Sequence, residues 1–203
     1  MSLELYGLFV LASVLLVATP GPNVALIVGT SLRYGLRAGL MTVAGVNLGL
    51  ALQMSAIALG LAWLVDLFAR YFDLIRYAGA AYLAVLGLQQ LLARRAETAD
   101  LPPLRGERAF AQGLAVAFGN PKTLIFHAAF LPQFVSGESG SGGVLWLLVA
   151  TYCVISGVGD GLWGLFAARA RAAVSGRAQR IADRASGAIL LGGAAVLLAA
   201  GRR

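Results

Sequence analysis

Apolar residues run almost without interruption through six stretches of the chain, roughly Leu5–Thr30, Gly39–Val65, Leu74–Ala93, Phe110–Leu131, Val144–Ala168 and Ala185–Ala200. A bilayer core about 30 Å thick is crossed by about 20 residues of helix, so each stretch predicts one spanning helix. Continuous apolarity selects helices over a membrane barrel, whose strands alternate in character over about ten residues. A proline cluster interrupts the first stretch, Thr19-Pro20-Gly21-Pro22-Asn23, and another the fourth, Gly119-Asn120-Pro121-Lys122. Both are expected to be broken helices.

The chain also repeats itself. Arg76-Tyr77-Ala78-Gly79-Ala80 near the start of the third stretch matches Arg184-Ala185-Ser186-Gly187-Ala188 near the start of the sixth, and both stretches end in a double arginine, Arg94-Arg95 and Arg202-Arg203. The expected fold is therefore an all-α membrane protein of six transmembrane helices, arranged as a 3+3 inverted repeat with broken helices 1 and 4. Inversion follows because each unit holds an odd number of spans. The whole of residues 1–203 forms one transporter-like domain, with halves of about 1–95 and 109–203 and a linker of about 94–108.

Composition agrees with the pattern. The chain is 59% hydrophobic before its 26 glycines are counted, and only 12% charged. A soluble domain averages about 45–50% apolar with glycine included, and about 25% charged. This chain has too little polar surface to cover a soluble globule, and its excess of apolar surface excludes disorder. Met1-Ser2-Leu3-Glu4 carries an acid and no base, unlike the start of a cleavable signal, so the first stretch is expected to stay as a span.

A net charge of +7 and a pI near 10.3 could suggest a nucleic-acid binder. The arginines instead sit between apolar stretches, as in the cytoplasmic loops of membrane proteins, and no nucleic acid is expected. The links after stretches one, three and five hold Arg33, Arg37, Arg94, Arg95, Arg105, Arg108, Arg169, Arg171, Arg177, Arg180 and Arg184; the other side holds Arg70, Arg76, Arg202 and Arg203. The bias places those three links in the cytoplasm and both termini outside.

Enzyme chemistry finds no footing. His127 and Cys153 are the only histidine and cysteine, so neither a zinc cluster nor an internal disulfide is expected. There is no phosphate loop, and Ser156 with His127 lacks a third orienting group. No catalytic residue, cofactor or metal is implied.

Paired broken helices at corresponding places in two halves point to a transporter binding site. A proline removes an amide donor and frees the carbonyl four residues earlier. In hydrocarbon such groups persist only where protein or a wet cavity satisfies them. Pro20, Gly21, Pro22 and Asn23 are thus expected to unwind and present helix-start amides to a carboxylate. Asn120, Pro121 and Lys122 form the counterpart.

Lys122, the only lysine, and Asp160 lie inside apolar stretches. A charge at the bilayer centre costs roughly 2.5–3.5 kcal/mol, so such residues face a cavity or a partner. Asp160 shares a helical face with Cys153, Ser156, Gly157 and Gly164. It is the candidate proton- or cation-responsive group, with Lys122 its counter-charge or a carboxylate anchor. Asn47, with Asn23 and Gln53, is a candidate neutral partner for the substrate, against the simpler reading of interhelical glue. His127 reads as a packing residue, and Gly45-x-x-x-Gly49 and Gly157-x-x-x-Gly161 permit close helix approach.

These motifs resemble the LysE/RhtB family of bacterial amino-acid exporters. The likeness rests on Thr19 to Asn23 with Ser31-Leu32-Arg33-Tyr34-Gly35 and Arg37-Ala38-Gly39, on Ala78-Gly79-Ala80-Ala81-Tyr82-Leu83 with Leu86-Gly87, and on Gly119 to Lys122 leading to Phe130-Leu131-Pro132-Gln133-Phe134. The resemblance implies a multi-pass carrier of the bacterial inner membrane, expelling amino acids or close derivatives by the proton motive force. Its partners would be an amino-acid substrate, protons or a counter-ion, and the lipid bilayer, with a homo-oligomer left open. The competing classes are an exporter of another small metabolite or ion, and an intramembrane enzyme.

Overall fold

The computed structural model describes residues 1–58, 62–92, 104–130, 142–171 and 176–199. Among them all regular structure is helical: α1 Leu3–Ala18, α2 Pro22–Tyr34, α3 Leu36–Ala58, α4 Ala62–Leu91, α5 Gly106–Gly119, α6 Pro121–Phe130, α7 Gly142–Ala170 and α8 Gly176–Ala199.

By length and composition three of these could cross a membrane: α3 over Leu36–Ala56, α7 over Gly143–Ala170 and α8 over Arg180–Ala199. The α1–α2 pair, bent by 49°, makes a fourth when taken as one span. Against the six spans expected, three or four helices of spanning length and apolarity are present among the described residues. α4 is long enough, but Arg76, Gln89 and Gln90 dilute its apolar stretch. Gln90 packs against Gly29 of α2, so part of that polarity is turned toward protein.

Helix ends depart from the apolar boundaries. The second stretch is expected to run on to Val65, yet its described residues from Ala62 onward belong to α4, which continues through the third stretch to Leu91. α8 begins nine residues before the sixth stretch, through the polar Gly176–Arg184. Apolarity marks where lipid is, whereas a helix continues through water wherever its backbone bonds can propagate. Arg94-Arg95, Arg202-Arg203, most of the expected linker and Leu131 to Phe134 lie outside the described residues.

Polarity is reversed relative to a soluble protein. Leu8, Leu11 and Leu15 of α1 and Val154, Val158 and Phe166 of α7 are exposed, while Ser13, Asn23, Gln53, Asn120, Ser156 and Asp160 are buried. An apolar outside around a polar inside suits lipid as the solvent. One apolar cluster joins Phe9, Ile27, Val46, Leu50 and Leu148 across α1, α2, α3 and α7. A second joins Leu26, Leu83, Val116 and Leu190 across α2, α4, α5 and α8.

Small residues set the closest approach. A Cβ at Gly45 of α3 would strike the Phe110 carbonyl, and one at Gly113 of α5 the Thr42 carbonyl. These glycines let the α3 and α5 backbones touch, as in tightly packed membrane helices. The Gly157-x-x-x-Gly161 pair behaves differently. Gly157 accommodates Asn47, but a Cβ at Gly161 would meet nothing within 4 Å. Gly35 closes the turn from α2 into α3 with φ 85°, a conformation that favours glycine.

Candidate functional site

Both helix breaks follow one local rule. The residue before a proline is pushed out of helical geometry. Thr19, before Pro20, is extended at φ −78°, ψ 122°, and ends α1. Asn120, before Pro121, is extended at φ −81°, ψ 107°, and ends α5. Each helix then restarts on a proline at its first turn, Pro22 for α2 and Pro121 for α6, where the missing amide has no intrahelical role. The expected breaks lie where the prolines put them.

The two breaks are tied together by Lys122. Pro20 offers no N–H to the carbonyl of Leu16, four residues earlier. The Lys122 ammonium donates to that oxygen at 2.7 Å and also to the Thr19 carbonyl. A side chain from α6 therefore caps the end of α1, with its positive charge at the negative end of that helix. Its stem lies along Gly21, close enough that a Cβ there would touch Lys122 Cδ and Nζ at 3.4 Å. Asn120 performs a second capping function, its Oδ1 accepting from the Lys122 backbone amide at 3.0 Å.

A small cavity of about 20 Å³ opens where the breaks meet. Asn23, Asn120, Lys122, Thr123, Ser156 and Asp160 supply its polar wall, while Leu16, Val17, Val24 and Leu50 supply apolar wall. Asp160 is only 4% exposed and accepts a hydrogen bond from Ser156 Oγ at 3.1 Å, one helical turn back. No salt bridge joins it to Lys122 among the described residues, although both line the cavity.

Two groups on that wall lack a protein partner: Asn23 Oδ1, an acceptor, and Asn120 Nδ2, a donor. Buried polar atoms without a partner cost about 1–3 kcal/mol each, so native structures retain few of them. Here one donor and one acceptor, from opposite breaks, line the same space. With the carboxylate of Asp160 and the ammonium of Lys122, the wall offers acceptors for an ammonium group and donors for a carboxylate.

The sequence-predicted residues divide accordingly. Gly21, Asn23, Asn120, Lys122 and Asp160 line the cavity. Pro22 and Pro121 are buried beside it, and both approach Gly193 of α8. Pro20 is exposed and acts through the carbonyl it frees. Asn47 lies elsewhere, donating from Nδ2 to the Cys153 carbonyl at 2.9 Å between α3 and α7. His127 is buried with Nδ1 2.7 Å from Gln53 Oε1 and packs edge-on against Tyr152 at 4.7 Å. Gln53 is thereby engaged by His127.

Sequence reasoning missed three features. Tyr152 lines the cavity from α7, at a position four residues before Ser156 and eight before Asp160, so the extended face could have revealed it. The backbone carbonyls of Leu16 and Thr19 became partners only through tertiary docking. Arg33 at the end of α2 pairs with Asp183 of α8 through two contacts of 3.2 Å, Nε to Oδ1 and a terminal nitrogen to Oδ2. Asp183 fell just outside the apolar stretches and so drew no attention.

The family model described as LysE type translocator matches residues 14–201. The homoserine/homoserine lactone efflux protein of Salmonella typhimurium is 35% identical over 140 residues, 66% of each chain, so the match spans just under two thirds of that relative's length. The leucine efflux protein of Salmonella choleraesuis is 30% identical over 151 residues, 72% of this chain and 70% of its own. The leucine efflux protein of Klebsiella pneumoniae is 28% identical over 148 residues, 71% of this chain and 70% of its own. No solved structure matches.

Proposed function

The chain belongs to the LysE type translocator family, and on that premise we propose that it is a secondary transporter exporting amino acids or close derivatives from the cytoplasm. The observation that carries this reading is the cavity wall itself. Asn23 Oδ1 and the Asp160 carboxylate suit a substrate ammonium, and Asn120 Nδ2 and the Lys122 ammonium suit a carboxylate. Lys122 has three N–H donors, and Leu16 and Thr19 take two. The third is the one assigned to substrate. The helix-start amides of α2, at the positive end of that helix, add to the carboxylate side.

A neutral amino acid fits this charge balance best, since the wall holds one cation and one anion. Homoserine and leucine, named for the relatives, are neutral amino acids of this kind, whereas homoserine lactone keeps the amine and has no carboxylate. A cavity of about 20 Å³ has room for little more than one water. The structure is therefore read as an occluded form, which alternating access must open on either side. The two halves rock about the Pro20–Asn23 and Asn120–Lys122 breaks, and protonation of Asp160 couples the movement to the proton gradient.

The 3+3 inverted repeat gives that motion its frame. Helix packing supports it, because α4 packs on α8 and α3 on α7, each against its mate in the other half. The pairs that cross between halves correspond as well: α3 with α5, and α7 with α1 and α2. The apolar stretches and the arginine bias support six spans and outward termini, and the bacterial relatives support an inner-membrane location.

Proteoliposomes with an imposed pH gradient, screened with labelled amino acids, test the proposal. Flux of a neutral amino acid that follows the gradient, and is lost in Asp160→Asn, is the expected result. Failure of every amino acid to move under either gradient overturns it.

A further inference from the structure

α2 lies between two joints, the Pro20–Pro22 break at its start and Gly35, with φ 85°, at its end. Gly21, Asn23 and Val24, at its start, line the cavity. At its other end Arg33 reaches Asp183 of α8 through two contacts of 3.2 Å, Nε to Oδ1 and a terminal nitrogen to Oδ2. A fork of this kind fixes direction as well as distance. Arg171, just past α7, lies against the Gly35 turn. This is the arginine-rich end of the bundle, which the charge bias places in the cytoplasm.

Between the cavity and that pair, one face of α2 runs along α7. Asn23, Ile27 and Ser31 stand on it at four-residue intervals. On α7, Gly164 follows Asp160 by one turn, and a Cβ there would sit 3.4 Å from both Ile27 Cγ2 and Ser31 Oγ. The α2–α7 seam therefore leads from the cavity residues Asn23 and Asp160 toward the Arg33 end. Its neighbourhood leaves polar atoms unserved. Ser31 Oγ is buried without a partner among the described residues, and so is Oε1 of Gln90, which packs on α2 at Gly29. Such atoms are costly in the closed packing and gain water as partners when α2 swings out. The Arg33–Asp183 pair opposes that swing.

We propose that α2 is the inner gate of the transporter, latched by Arg33 and Asp183, and that opening parts the α2–α7 seam to load substrate from the cytoplasm. The inference rests on the amino-acid transport reading. Its 13 residues make α2 about 20 Å long. A swing of about 10° at the proline break then carries the Arg33 end about 3 Å, enough to part a contact of 3.2 Å. Gly35 supplies the second joint, in a conformation that favours glycine. Arg33 and Asp183 are positioning residues: neither lines the cavity, and they act through where α2 stands. Removing one leaves the other charge without this partner in the closed form, which shifts the balance toward the open one.

The test reads access to the seam. In a Cys153→Ser background, Ser31→Cys is exposed to a membrane-impermeant thiol reagent in inverted membrane vesicles. It is compared with the pair intact, with Asp183→Asn, with Arg33→Gln, and with the exchange Arg33→Asp plus Asp183→Arg. Leu148→Cys, in the apolar cluster of α1, α3 and α7, controls for general loosening. Each single variant is expected to raise the Ser31→Cys rate about threefold or more, as the coupling of a contacting pair requires. The exchange is expected to bring the rate back toward the original, and Leu148→Cys to stay slow throughout. A rate that ignores the single variants, or an exchange that reacts as fast as they do, overturns the gate. So does a Leu148→Cys rate that rises in step, or reaction confined to right-side-out vesicles. Labelled amino-acid flux through the unaltered chain in proteoliposomes is measured beside these rates. Its absence overturns the transport reading and the gate with it, whereas the access results overturn the gate alone.

Discussion

Replacing Lys122 with methionine separates two roles for the one lysine: a cap on the broken end of α1, or a counter-charge for Asp160. Methionine keeps the length of the stem and removes the donors. The Leu16 carbonyl, at 2.7 Å from the ammonium, and the Thr19 carbonyl then lose a charged donor. Hydrogen bonds to charged groups contribute about 1.5–3 kcal/mol each, and a cation at a helix C-terminus adds about 0.3–1 kcal/mol. The gain from no longer desolvating a half-buried ammonium offsets part of this, so a net loss of about 2–4 kcal/mol is expected. For a chain of this size each kcal/mol moves the thermal midpoint by about 2–4 °C, which gives a fall of roughly 5–15 °C. Thermal unfolding in detergent, followed by loss of the monodisperse species, reads it directly. The diagnostic comparison is the double variant Lys122→Met with Asp160→Asn. A cap predicts that the double is as unstable as Lys122→Met alone, because the carbonyls are still bare. A counter-charge predicts rescue, because no lone anion is left buried. Full rescue, or a Lys122→Met midpoint equal to that of the unaltered chain, refutes the capping argument.

Other parts of the bundle give independent checks. Arg33→Ala and Asp183→Ala should each destabilise by about 1–3 kcal/mol, with a double-mutant coupling above about 0.5 kcal/mol measured by thermal or denaturant midpoints; strict additivity would show that the two side chains do not interact across α2 and α8. Gly113→Val should abolish the folded, monodisperse protein, since its side chain would overlap the Thr42 backbone, whereas Gly161→Ala faces open space and should be neutral or raise the midpoint slightly. Gln53→Leu removes the partner of His127 Nδ1 and should cost about 1–3 kcal/mol, while leaving the substrate preference unaltered.

Much of the site was legible because proline acts locally. Pro20, Pro22 and Pro121 dictate where the helices stop and restart, and no distant contact is needed to place them. Charge rarity was equally informative. Lys122 and Asp160 stand out from apolar surroundings, and the fold brings both to one cavity. What the pattern could not carry was partner identity. Whether Lys122 faces Asp160 or the end of α1 depends on how α6 docks, and 106 residues separate Lys122 from Leu16. Asn47 shows the same limit, since an asparagine in an apolar helix suits a substrate or the Cys153 carbonyl equally until α7 is placed beside α3. Helix ends were least legible, because apolarity stops at the edge of lipid and α8 does not.

The central claim is that the buried amides of Asn23 and Asn120 are the substrate's partners where the two breaks meet. Initial rates of labelled leucine counterflow in proteoliposomes, for Asn23→Ala and Asn120→Ala against the unaltered chain, test it most directly. On that claim each amide forms one hydrogen bond to a charged group of the substrate, so each variant should lose about tenfold or more in kcat/KM. The thermal midpoint should stay within about 2 °C for Asn23→Ala and fall in Asn120→Ala by the cost of the lost cap on α6, about 0.5–2 kcal/mol. Unchanged rates and KM in both variants would contradict the account.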